Sequence, residues 1–138
     1  METAEAERMT IGAFVTAHGI TATVRQVLSN PHMDDSPYMT RHFRVTLRRA
    51  GRQMTVAYNQ GSAFTEDPTA EDVLSCLCQD AAGLENSPAF EEWAPEYGFD
   101  ADSRKAERIF RTVERQTDRL RVLLGEEYET ALWDVESD

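Results

Sequence analysis

Residues able to do chemistry are few in this chain, and their spacing decides what they are for. His32, Asp34 and Asp35 fall close together, with His42 shortly after. Imidazole and carboxylate are metal donors, but a catalytic zinc site needs them at fixed spacing on regular elements, such as two histidines one helical turn apart. Here they sit among Asn-Pro and Ser-Pro signals and read as a polar loop. Cys76 and Cys78 lack a second pair, so they read as small helical residues rather than half a zinc knuckle. Two positions apart on a helix they point in different directions and do not bridge, which suits a reduced, cytosolic chain. Ser62 follows Gly61, yet the strand–Gly-x-Ser-x-Gly–helix elbow of a nucleophilic serine is missing, and a lone glycine builds no phosphate loop. His18 ends a helix, where the C-terminal dipole gives it a structural role. Paired carboxylates are too abundant to single out a general acid or base, which needs a perturbed pKa in a cleft. The sequence therefore assigns no catalytic residue, no metal and no cofactor, and binding is the expected mode of action.

Charge is what sets the chain apart. From Gln53 to Ser103 there is no Lys or Arg, while Glu66, Asp67, Glu71, Asp72, Asp80, Glu85, Glu91, Glu92, Glu96, Asp100 and Asp102 are all acidic. These eleven equal the net charge of −11, because acids and bases elsewhere cancel. Such a net field repels duplex phosphates, so direct nucleic-acid binding is not expected of the whole molecule, although local basic patches are allowed. Solubility alone is a sufficient reason for an acidic surface. The sharper expectation is a partner-binding surface in which carboxylates imitate a phosphate array and enter a basic groove. A third possibility is a homodimer, with basic and acidic faces of two copies in contact.

The basic residues, all arginine except Lys105, gather elsewhere. Arg104, Arg108, Arg111, Arg115 and Arg119 fall within an arc of about 80° on one long helix. With Arg44 and Arg48 of a hairpin they make an alternative, nucleic-acid-binding surface. Interleaved Glu107, Glu114 and Asp118 offer i,i+3 and i,i+4 pairs that lower its potential, so a solvated face is the simpler expectation.

The elements that must carry these charges follow from periodicity. With 138 residues, 41% hydrophobic and 28% charged, the chain suits one globular domain spanning 1–138, with 1–9 a frayed, polar end. Neither an apolar run able to cross a membrane nor a leader is visible, so no membrane association is expected. Thr10 caps a short helix over 11–18, and 21–28 reads as a strand. A two-residue turn at Ala50-Gly51 sets Leu47 opposite Met54, Val45 opposite Val56 and Phe43 opposite Tyr58, all on one face. The other face holds His42, Arg44, Thr46, Arg48, Gln53, Thr55 and Ala57, and a one-residue slip would bury arginines. Thr69 opens a helix over 70–82 with Asp72 closing a shortened capping box, and its apolar arc is Val73, Leu74, Leu77, Cys78 and Ala81. A short helix follows over 88–96, a long one over 100–124 with the stripe Ala106, Ile109, Phe110, Val113, Thr117, Leu120 and Leu124, and a last one over 126–133. The expected architecture is α+β: a short N-terminal helix, a three-stranded antiparallel sheet, then three to four helices packed on one face.

The run Gln60-Gly61-Ser62-Ala63, then Pro68 to Leu74, Phe90-Glu91-Glu92-Trp93-Ala94, Tyr97 to Asp100 and Asp102 to Arg108, covers much of the C-terminal half. In it the chain resembles small acidic proteins carried by tailed phages and prophages. The resemblance brings no catalytic residues. It implies a context: a compact acidic protein in the cytoplasm of a bacterial host, blocking defence as anti-CRISPR and anti-restriction proteins do by mimicking DNA. The partner would be a host protein or ribonucleoprotein complex.

Overall fold

A computed structural model describes residues 9–27, 40–61, 64–100 and 103–136. The loop carrying His32, Asp34 and Asp35 lies outside these residues, as do Ser62, Asp102 and the first eight residues. The chain is α+β. A three-stranded antiparallel sheet is built from β2 (Thr21–Val27), β3 (Thr40–Arg49) and β4 (Arg52–Gly61), in that order. Its register is the one the alternating pattern requires: Phe43 faces Tyr58, Val45 faces Val56 and Leu47 faces Met54. Ala50 and Gly51 both have positive φ, 50° and 80°, the conformation of a type I′ turn whose twist matches the strands it joins.

One face of the sheet is covered by helices α2 (Ala70–Asn86) and α4 (Arg104–Leu124). The capping box of α2 is complete: Asp72 N–H donates to Thr69 Oγ1 at 3.2 Å, and Thr69 N–H to Asp72 Oδ2 at 2.9 Å. Val73, Leu74, Leu77, Cys78 and Ala81 are buried in one core with Phe43, Val45, Leu47, Met54 and Val56. The helix runs a turn past Ala82, through Gly83, where the Tyr97 hydroxyl leaves no room for a Cβ. In α4 the apolar stripe is buried as spaced, with Leu123 added and Ile109 only partly covered. Its first turn begins at Arg104, because Ser103 caps it by accepting from Ala106 N–H at 3.1 Å.

Between them, α3 (Phe90–Glu96) seats a second, aromatic core. Phe90 and Trp93 meet Phe110 edge-on, with centroids 5.4 and 5.2 Å away, and Trp93 stacks on Tyr97 at 4.8 Å. A 3₁₀ turn over Gly125–Glu127 leads into α5 (Tyr128–Trp133). Four α-helices thus follow the sheet, and α1 (Ile11–Ala17) precedes it, capped by Thr10 as its sequence requires.

Met9 is not frayed. Met9–Thr10 (β1) and Val135–Glu136 (β5) form a parallel pair, Met9 opposite Val135 and Thr10 opposite Glu136. Two residues are too few to show a strand period.

Candidate functional site

Folding divides the acidic block by what its neighbours do with each carboxylate. Asp67 is taken by Arg41, whose guanidinium donates to Asp67 Oδ1 and Gln26 Oε1 at 3.2 Å, and to the Phe64 carbonyl at 3.1 Å. Glu85 is taken by Arg121, and it also accepts from the Tyr128 hydroxyl at 2.9 Å. Arg121 lies over the Tyr128 ring at 5.0 Å, so α2, α4 and α5 are joined through one carboxylate. Asp72 is engaged in its capping box, and the Glu71 carboxylate packs over Gly12, its Oε1 3.1 Å from where a Cβ there would be. Asp80 is half-buried, and that burial pushes its carboxyl up to about 6.

What remains falls mostly on α3. Glu91, Glu92 and Glu96 of α3 are exposed, as are Asp100 beyond its end and Glu66 before α2. None of the five has an ion pair among the described residues. Glu92 and Glu96 stand one helical turn apart, a like-charge pair that costs a few tenths of a kcal/mol in the isolated protein. Beneath them, Phe90 and Trp93 fix the helix against Phe110, so the carboxylates sit on a rigid platform.

The arginines do not form one surface. Arg44 and Arg48 are exposed on the sheet face opposite the helices, whereas Arg104, Arg108, Arg111, Arg115 and Arg119 lie on the side of α4 away from the core. On α4, Arg111 pairs with Glu114 at 2.8 Å and with Glu107 at 3.8 Å, and Arg115 donates to Thr112 Oγ1 at 3.3 Å. A groove of about 470 Å³ runs between Arg104, Glu107, Arg108, Arg111, Thr112 and Arg115. A cleft of about 390 Å³ on its other flank mixes Arg111, Arg115 and Arg121 with Glu85, Glu114 and Asp118. The interleaved acids thus do dilute this helix face, although Arg115 and Asp118 are not paired with each other as their spacing suggests.

Two arginines have a task the sequence does not reveal. Arg49 donates to the carbonyls of Leu123 and Leu124 at 3.2 and 3.0 Å, and Arg52 to that of Val122 at 3.4 Å. The turn of the hairpin thus grips the C-terminus of α4, where cations meet the negative end of the helix dipole. Gly125 follows with φ 55°, and a Cβ there would stand 2.9 Å from Arg52 Nη1. Only glycine fits both conditions.

The remaining reactive groups are quiet. Cys76 and Cys78 are both free, and burial pushes their thiols up to about 11 and about 12, Asp80 adding to the first, so neither is a thiolate at neutral pH. His42 lies on the outer sheet face but is buried, its Nδ1 3.1 Å from Asn59 Oδ1. His18 packs against Phe14 at a tilt, with ring centroids 4.4 Å apart, and lies 3.7 Å from Glu127. Among the described residues no three metal-donor side chains cluster, and no helix is long and apolar enough to cross a membrane. No protein-family model matches the chain, and neither curated proteins nor solved structures give a significant match.

Proposed function

We propose that the protein acts by binding rather than by catalysis, as a phage-type inhibitor of a host nucleic-acid-processing defence complex. The contact surface is α3, with Glu91, Glu92, Glu96 and Asp100 taking the place of backbone phosphates in a basic groove of that complex. One observation carries this reading: α3 holds unneutralised carboxylates, including a like-charge pair, on a helix fixed from below by aromatic packing. Repulsion that costs stability in the free protein is relieved when a cationic surface meets it. Of the other described acids in the run, Asp67 and Glu85 are held in ion pairs, Asp72 in a helix cap, and Glu71 and Asp80 are partly buried, which narrows the surface to α3 and its end, with Glu66 exposed elsewhere in the chain. The setting that goes with this reading is the cytoplasm of a bacterial host.

The test uses purified defence nucleases, both CRISPR effector and restriction type, with DNA as competitor. Association is expected to weaken steeply with salt and to be displaced by DNA. Reversal of Glu91, Glu92 and Glu96 to Lys is expected to reduce affinity by about 100-fold or more, through lost attraction and new repulsion. Unchanged binding and inhibition by that variant would remove the mimicry.

A further inference from the structure

The three strands of the sheet contain Arg25, Arg41, Arg44, Arg48, Arg49 and Arg52, and not one Asp or Glu. Arg41, Arg49 and Arg52 are occupied by the contacts described above. The other three, Arg25, Arg44 and Arg48, are exposed on the outer face, which no described element covers. Arg25 stands directly opposite Arg44 in the register of β2 and β3. Directly opposed residues are about 5 Å apart, and like charges there destabilise the pair. No carboxylate among the described residues relieves it. Around these cations stand hydroxyls: Arg48 donates to Thr23 Oγ1 at 2.6 Å, and Thr46 and Thr55 share a hydrogen bond at 2.9 Å.

We infer that this outer sheet face binds the phosphate backbone of a nucleic acid. An anion seated between Arg25 and Arg44 turns their mutual repulsion into attraction, and guanidinium suits phosphate because it donates two parallel bonds. Threonine hydroxyls add neutral donors for further phosphate oxygens. Among the described residues this face carries no exposed aromatic ring to stack bases, so recognition through the phosphate backbone is independent of sequence. The α4 groove is the weaker candidate for the same ligand, because Glu107, Glu114 and Asp118 are interleaved with its arginines. The inference stands apart from the acidic helix: α3 would engage the protein of a complex, and the sheet the nucleic acid that such a complex carries.

Fluorescence anisotropy with labelled oligonucleotides of about 20 nucleotides, as single-stranded DNA, single-stranded RNA and duplex DNA, tests it on the full chain. Binding at low salt is expected to weaken as salt rises, with a log–log slope of about −2 for three neutralised phosphates on a single strand. Replacing Arg25, Arg44 and Arg48 together by Gln is expected to lower affinity by at least about tenfold and bring the slope toward zero. Replacing all three by Lys keeps the slope, which separates lost charge from a damaged fold. Substitution of Arg104, Arg108 and Arg119 by Gln leaves binding unchanged, as does the lysine-reversed α3 variant. Absence of salt-sensitive binding, loss of binding only in the α4 variant, or equal competition by polyglutamate would each overturn the inference. The last outcome would mean that the face meets an acidic protein.

Discussion

Asp80 shows how far one carboxylate can depart from the behaviour its neighbours in sequence suggest. It belongs to the acidic run but sits half-buried on α2, where burial raises its carboxyl to about 6 from an ordinary value near 3.8. Between about pH 4 and pH 6 the folded chain holds a proton that the unfolded chain has released. Stability contributed at this position therefore falls as pH rises through that window, and the penalty is complete above it. Asp80→Asn is expected to stabilise the protein by about 1–2 kcal/mol at pH 7 and to change it little at pH 4. Urea unfolding at the two pH values checks this, and equal effects at both would show that ionisation is not the cause.

Among the elements, the hairpin was fully legible because two independent signals agree. Alternation placed Phe43, Val45 and Leu47 on one face, and Ala50-Gly51 fixed the turn that aligns them with Tyr58, Val56 and Met54. The turn is nonetheless imperfect, since Ala50 holds φ 50° without the side-chain help that Asn obtains there. Ala50→Asn is expected to stabilise the fold by about 0.5–1 kcal/mol, read as a higher melting temperature with unchanged far-ultraviolet circular dichroism. The capping box of α2 and the buried stripe of α4 were legible for the same reason: partners three or four residues apart are visible in sequence. The fates of Asp67 and Glu85 were not, because their cations, Arg41 and Arg121, come from outside the acidic run, 26 and 36 residues away. The grip of Arg49 on α4 spans still more chain, and nothing local marks which carbonyl an arginine will find.

At the scale of the whole molecule, charge segregation survives folding in part. Among the described residues arginines enter the acidic region at two points, and what they neutralise is put to use in holding the layers together. Glu85 is the clearest instance, tying α2 to α4 through Arg121 and to α5 through Tyr128, whose hydroxyl is raised by burial and then by that hydrogen bond. Glu85→Ala leaves the Tyr128 phenol without its acceptor and Arg121 with Asp118 alone, and is expected to cost about 1–2 kcal/mol. Chemical denaturation measures this, and an unchanged midpoint would show the junction to be dispensable. The carboxylates of α3 and the arginines of the outer sheet face are left as two separate poles, which is why the protein is assigned two contacts of opposite sign.

The short parallel pairing of Met9–Thr10 with Val135–Glu136 has a kinetic consequence. It closes a loop that runs from residue 10 to residue 135, so the entropy lost is large and the reward is two residues of ladder. Such a clasp cannot nucleate anything. It snaps shut after the core has brought its halves together, and it is the first part to open when the native state breathes.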